Sequence, residues 1–223
     1  MKIKYCLPII KSLKKDVLTT IQDNLANFNY FEIWLDYIKD IELDFINLLK
    51  KRYGEKIVFL LRRQRLAKPK ISLLQRIKIL NCIAGSNCFL DLDLFSQKEE
   101  IDYLNKNRKK IKLIISYHNY KETPEDQRMK QIVEKLLKMS PEIIKISTLC
   151  KQDDDALRLI DLMSNLKDKN IRNIVIGMGK KGRITRIAGG IIGTEMCFTP
   201  VTINQKSAPG QFTKKQFEDA IRK

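Results

Sequence analysis

Two residues in this sequence could do covalent chemistry on a carbonyl compound. Ile143-Ile144-Lys145-Ile146-Ser147 places a lysine inside an apolar, β-branched run, and Ile115-Ser116-Tyr117-His118-Asn119 places the only histidine at the end of another. An amine among apolar neighbours loses its charge, because desolvation disfavours the ammonium form. The neutral amine can then attack a ketone and form a Schiff base. Histidine, with an unperturbed pKa of about 6.5, is the natural proton carrier beside it. Each residue also has a plainer explanation. A lone histidine at a strand end is commonly a capping or surface residue, and a strand lysine can face outward between neighbours. Their place on consecutive strand candidates is what sharpens the chemical reading.

Other motifs carry less. Gly177-Met178-Gly179-Lys180-Lys181-Gly182 fits the G-x-G-x-x-G dinucleotide fingerprint after a strand. The acidic residue expected about 20 positions on is missing, the nearest being Glu195. A phosphate-binding P-loop fails as well, since Arg183-Ile184 stands where Lys-Ser/Thr is required. The glycines are better read as a tight βα turn whose amides can meet an anion. The five cysteines, Cys6, Cys82, Cys88, Cys150 and Cys197, form no C-x-x-C pair and are odd in number. That spacing argues against a disulfide framework or a zinc site and suits a reducing, cytoplasmic setting. No metal and no organic cofactor is expected.

The elements that must position these residues follow from the pattern of apolar runs. Strand candidates are Ile3–Pro8, Tyr30–Trp34, Ile57–Arg62, Cys88–Leu92, Lys112–Ser116, Ile143–Ser147, Asn173–Gly177 and Glu195–Phe198. Between them, Lys11–Asn27, Ile41–Tyr53, Ser72–Cys82, Ser96–Arg108, Pro124–Lys138, Asp153–Leu166, Arg183–Ile191 and Thr213–Ile221 are compatible with helix. The fifth helix carries a start signal, with Thr123 as N-cap, Pro124 at the first helical position and Glu125 in the first turn. Strict alternation predicts a parallel sheet with crossover helices. Eight repeats suggest closure into an α/β (β/α)8 TIM barrel, compact at 223 residues where roughly 250 is typical. An open doubly wound sheet is the rival. No linker or composition break divides the chain, so residues 1–223 read as a single domain.

Composition limits the function classes. With 43% apolar and 31% charged residues, a disordered tail or fibrous repeat is excluded. The formal charge is +17, and 31 of the 43 basic residues are lysines scattered over the chain. Base reading and forked phosphate contacts favour arginine, so a lysine-rich solvated surface explains the charge better than nucleic-acid binding. The same field would steer a small anionic substrate. No run of about 18 uncharged apolar residues could span a membrane. The apolar stretch before Lys11 is too short for a signal peptide.

One motif per strand candidate resembles the type I 3-dehydroquinate dehydratases, the Schiff-base enzymes of the shikimate pathway and aromatic amino acid biosynthesis. The similar segments are Tyr5-Cys6-Leu7-Pro8, Phe31-Glu32-Ile33-Trp34-Leu35-Asp36, Phe59-Leu60-Leu61-Arg62, Leu90-Asp91-Leu92-Asp93 and Ser116-Tyr117-His118-Asn119. They continue with Ile144-Lys145-Ile146, the stretch from Met178 to Arg186, and Ser207-Ala208-Pro209-Gly210-Gln211. Ser-Tyr-His, the lysine 27 positions later, and Ser-Ala-Pro-Gly-Gln are the specific parts. The resemblance implies Lys145 as the Schiff-base lysine and His118 as the general acid and base. It implies Arg186, Ser207 and Gln211 as binders of the substrate carboxylate. Glu32 and Arg62 would hold ring hydroxyls, with Asp36, Asp91 and Asp93 as a supporting acidic network near the lysine.

Two positions depart from the family pattern. The second-strand motif usually reads Glu-x-Arg-x-Asp, and Trp34 stands at the arginine, on the substrate-binding side. Leu66-Ala67-Lys68 replaces an expected Glu-Gly-Gly. Both changes remove polar contacts from the hydroxyl side of a site for a polyol acid. The expected activity is dehydration of 3-dehydroquinate to 3-dehydroshikimate by a hydro-lyase. The alternative is a catalytically weakened barrel that binds a carboxylated ring, and a third reading is another lysine Schiff-base lyase or aldolase. The expected partner is the small-molecule substrate, with no nucleic acid and no membrane. Self-association into a homodimer is left open.

Overall fold

The computed structural model describes residues 3–222. Among these, eight strands alternate with eight α-helices in chain order: β1 (Tyr5–Ile9), α1 (Lys14–Asn24), β2 (Tyr30–Trp34), α2 (Leu43–Tyr53), β3 (Ile57–Leu60), α3 (Leu73–Ile83), β4 (Phe89–Asp93), α4 (Lys98–Lys106), β5 (Lys112–Asn119), α5 (Asp126–Leu137), β6 (Ile143–Leu149), α6 (Asp153–Asp168), β7 (Asn173–Met178), α7 (Arg183–Ile192), β8 (Cys197–Phe198) and α8 (Lys214–Arg222). They divide between two compact units, Leu7–Ile114 and Met1–Cys6 with Ile115–Lys223. Both divisions fall inside strands, β1 and β5, and not at a linker.

In the unit Leu7–Ile114, β2, β3 and β4 lie side by side and parallel, with Phe31 opposite Ile57, Trp34 opposite Leu60, and Leu60 opposite Asp91. Every residue of β3 and β4 is buried. A strand covered on both faces needs apolar residues throughout, which is why Ile57-Val58-Phe59-Leu60 is a continuous run without alternation. Helix α2 buries Phe45, Ile46 and Leu49 on one face and ends in Lys50, Lys51 and Arg52, where the helix dipole favours cations. Ser72 caps α3 by accepting the Gln75 amide at 3.3 Å. Arg76 of α3 then reaches Glu100 of α4 at 2.6 Å.

In the other unit, β6 and β7 run parallel with Lys145 opposite Ile174 and Ser147 opposite Ile176. Tyr5 and Cys6 of β1 pair with Cys197 and Phe198 of β8. Helix α6 opens with a capping box between Gln152 and Asp155, whose Oδ2 accepts the amides of Lys151 at 2.8 Å and Gln152 at 3.2 Å. Helix α8 buries Phe217, which meets the Tyr5 ring edge-on at 5.8 Å.

Several boundaries move for local chemical reasons. The expected start of α5 at Thr123-Pro124 is wrong. The Thr123 hydroxyl is engaged with the Thr148 hydroxyl at 2.9 Å and the Leu149 carbonyl at 3.1 Å, so the helix begins at Asp126. Helix α4 starts at Lys98 and not Ser96, because Asp93 Oδ1 accepts the amides of Phe95 and Ser96 and the Ser96 hydroxyl in a turn. Strand β5 extends to Asn119, so His118 lies within it.

The glycine motif after β7 folds on itself. Thr185 Oγ1 accepts the Gly177 amide at 2.8 Å and donates to the Gly182 carbonyl at 2.7 Å, so that amide is committed inside the turn. A Cβ on Gly182 would lie 2.3 Å from the Gly177 carbonyl carbon and 2.6 Å from the Met178 oxygen, both backbone atoms that cannot yield like a side-chain tip. Gly182→Ala is therefore expected to cost about 2–3 kcal/mol. That would lower Tm by roughly 4–12 °C in a thermal melt, and an unchanged Tm would refute this packing account.

Candidate active site

Lys145 lies on β6, whose residues Ile143–Thr148 are all buried. It is 5% exposed, and its Nζ sits 4.3 Å from the centre of the Phe198 ring on β8. It is the single buried lysine among the described residues. Phe198 supplies an apolar wall with a face that attracts a cation, so the amine is dry and also directed. His118 is half-buried near the end of β5, with its ring stacked on Tyr120 at 6.2 Å and 16°. The chain turns immediately afterwards, because Asn119 Oδ1 accepts the amides of Lys121 and Glu122 at 2.9 and 3.2 Å.

In the same unit, the first turn of α7 carries Arg186, 8% exposed. Its Nη2 donates to the Pro209 carbonyl at 3.3 Å, and its Nε has no hydrogen-bond partner. Burial pushes its guanidinium down to about 10, with nearby Arg183 adding to the effect and only Cys197 opposing it. No carboxylate among the described residues pairs with it. Cys197, also buried, is pushed up to about 12.

The segment around Pro209 is built to stay near that arginine. Gln211, 2% exposed, accepts the amides of Ser207 at 2.8 Å and Ala208 at 3.3 Å and donates to Ser207 Oγ at 3.0 Å. Gly210 has φ +83°, and a Cβ there would lie 2.7 Å from the Gly179 carbonyl oxygen. The Ser-Ala-Pro-Gly-Gln loop thus rests on the glycine turn after β7, and the approach requires glycine at 210. Arg183 stacks 4.1 Å over Phe212 just beyond.

The unit Leu7–Ile114 holds the remaining expected residues. Arg62, 4% exposed, meets Asp91 through Nη1–Oδ1 at 2.7 Å and Nη2–Oδ2 at 3.4 Å. Burial pulls its guanidinium down, but Asp91, then Asp93 and Glu32, more than reverse this and leave it above the ordinary arginine range. Glu32 and Trp34, both buried on β2, are joined by a 2.8 Å hydrogen bond from the indole to the carboxylate.

Asp36, expected in the supporting acidic network, is engaged by the loop that follows β3. Its Oδ1 accepts the amides of Lys70 and Ile71, both at 2.8 Å, and its Oδ2 pairs with Arg63 at 3.0 Å, so it braces the loop between β3 and α3. That loop contains Arg65 and Leu66 in successive left-handed conformations, φ 55° and 56°. Asp93 shapes the β4–α4 turn described above. Reading the sequence did not single out Phe198, Tyr37 or Arg63. The available signal for Phe198 was an aromatic on the last strand, and nothing local marks the other two.

All five cysteines are free thiols. Among the described residues no cluster of three His, Cys, Asp or Glu side chains could hold a metal ion, and no helix is long and apolar enough to cross a membrane.

Residues 5–222 match the family model described as Type I 3-dehydroquinase. The 3-dehydroquinate dehydratase of Methanococcus maripaludis (strain C7 / ATCC BAA-1331) is 29% identical over 220 residues, covering 97% of this chain and 98% of that protein. The 3-dehydroquinate dehydratase of Coxiella burnetii (strain Dugway 5J108-111) is 26% identical over 221 residues, covering 97% and 91%. The crystal structure of 3-dehydroquinate dehydratase from Geobacillus kaustophilus HTA426 superposes with a TM-score of 0.83 at 21% identity, over 100% of this chain and 91% of that one. That likeness carries the fold, which is α/β and TIM-barrel-like, as the strand–helix alternation predicts.

Proposed function

The chain belongs to the type I 3-dehydroquinase family of hydro-lyases, and from that premise we propose that it dehydrates 3-dehydroquinate through a Schiff base on Lys145, with His118 as general acid and base. The observation that carries the residue assignment is the buried amine of Lys145 beside Phe198. In its neutral form an amine so placed is a nucleophile for a ketone.

In this reading the Lys145 amine adds to the C3 ketone and water leaves, giving an iminium. The cation acidifies the C2 proton, which His118 removes. The resulting enamine expels the C1 hydroxyl, which His118 protonates. Hydrolysis then returns 3-dehydroshikimate and the free lysine. The iminium is the electron sink, so the sequence of steps calls on no metal or organic cofactor. Arg186 offers a planar fork to the substrate carboxylate, and Ser207 and Gln211 add neutral donors. Arg62 and Glu32 take ring hydroxyls. We place the enzyme in the cytoplasm as a single functional domain acting on a small molecule, with neither nucleic acid nor membrane as partner.

The test is direct. Incubation with 3-dehydroquinate is expected to produce rising enone absorbance, and borohydride added during turnover should leave one covalent adduct that digestion places on Lys145. An adduct on another lysine would refute the site assignment. Tight binding of 3-dehydroshikimate with no enone formed would replace the enzyme reading with that of a carboxylate-binding barrel.

A further inference from the structure

On β2, Glu32 is held by a neutral donor. Trp34, the only tryptophan in the chain, stands two residues along the strand, so both side chains leave the same face. Its Nε1–H donates to Glu32 Oε2 at 2.8 Å, with Glu32 2% and Trp34 6% exposed.

The indole is clamped from behind. Its ring meets Tyr37 edge-on, with centroids 6.0 Å apart at 73°. The Arg63 guanidinium lies 4.0 Å over the Tyr37 ring and pairs with Asp36 at 3.0 Å. The Tyr37 hydroxyl accepts the Gln64 amide at 3.2 Å. Asp36 in turn holds the amides of Lys70 and Ile71. The segments after β2 and β3 therefore close on one side of the indole and leave its N–H turned to the carboxylate. Swinging the ring away would disturb a largely buried ion pair and strand an N–H without a partner.

We propose that Trp34 is a positioning residue, whose indole N–H sets the orientation of the Glu32 carboxylate and thereby the affinity for a hydroxylated ring acid. The indole N–H fixes the carboxylate without adding a second positive charge to that of Arg62, which Glu32 already faces; a guanidinium at this position would add one. The carboxylate so held remains a strong acceptor for a substrate hydroxyl. The proposal rests on the dehydratase reading for the identity of that ligand, and the experiment separates the two.

Trp34→Phe keeps an aromatic ring against Tyr37 and deletes only the donor. Its KM for 3-dehydroquinate is expected to rise about tenfold while kcat changes less than about threefold. Glu32→Gln should raise KM comparably, and the double variant should be no worse than either single change, because one bond carries both effects. A second readout needs no turnover. The lone indole gives one Nε1–H proton–nitrogen resonance, expected to shift in Glu32→Gln and again when 3-dehydroshikimate is added to the native protein. Fully additive KM losses, or a resonance unmoved by both Glu32→Gln and product, would overturn the proposal. If Trp34→Phe does not fold, the resonance in Glu32→Gln decides alone. Failure of borohydride trapping in the native chain would remove the dehydratase reading, and the resonance would still report whether Trp34 holds Glu32.

Discussion

Lys145→Ala should abolish turnover of 3-dehydroquinate, by at least about 10⁴-fold, and abolish the borohydride-trapped adduct with it. The expectation rests on the uniqueness of this amine. Every other lysine among the described residues is half-buried or exposed. Lys145 alone is 5% exposed, with its Nζ 4.3 Å from the Phe198 ring centre. Lys145→Met controls for the volume lost in the alanine variant, because it fills the same space with a side chain that cannot attack a ketone. Both variants should melt as cooperatively as the native chain and both should be inert. His118→Ala should behave differently. The adduct should still form, slowly, while turnover falls by about 10²–10⁴-fold, the usual contribution of general acid–base catalysis. Turnover surviving in Lys145→Met would remove the covalent mechanism, and near-normal turnover in His118→Ala would reduce the histidine to a strand-end residue stacked on Tyr120.

How far these roles could be read in advance depended on whether the responsible contact was local. Lysine inside Ile143-Ile144-Lys145-Ile146 is visible as an anomaly, because an ammonium in a fully buried strand demands a reason. The strands themselves are legible since parallel strands covered on both faces become continuous apolar runs, as in β3. Thr123 shows the opposite case. Its position before Pro124 and Glu125 satisfies every local rule for an N-cap, yet its hydroxyl is committed to Thr148 and the Leu149 carbonyl, 25 and 26 residues away. Asp36 likewise carries a family motif but is engaged by amides 34 and 35 residues later. That Glu32 and Trp34 share a face follows from strand geometry alone, whereas their hydrogen bond, and the brace of Tyr37 and Arg63 behind it, depend on two loops meeting. Local rules identify which side chains share a face; they say nothing about which distant donor arrives first.

Arg186 makes the second large prediction, and it has two opposing parts. Its guanidinium is buried, its Nε is without a partner, and its one hydrogen bond goes to the Pro209 carbonyl at 3.3 Å. Depression from 12.5 to about 10 corresponds to roughly 3 kcal/mol of folding free energy. The sign follows from the lowered folded-state value. Arginine is protonated in both states below pH 10, so the cost is present in full there and is relieved only as pH rises through 10. In the proposed reading that cost is offset when the substrate carboxylate arrives beside the buried guanidinium. Arg186→Met should therefore stabilise the ligand-free chain by about 1–3 kcal/mol, raising Tm by roughly 2–12 °C. The same change should lower kcat/KM by about 10²–10³-fold, because a forked, charge-assisted contact to the carboxylate is lost. Addition of 3-dehydroshikimate should raise the Tm of the native chain and leave that of Arg186→Met unmoved. Arg186→Lys should fall between them, since it retains the charge but not the fork. Loss of stability in Arg186→Met together with unimpaired kcat/KM would identify Arg186 as a strut for the Pro209 loop and return the carboxylate to other donors.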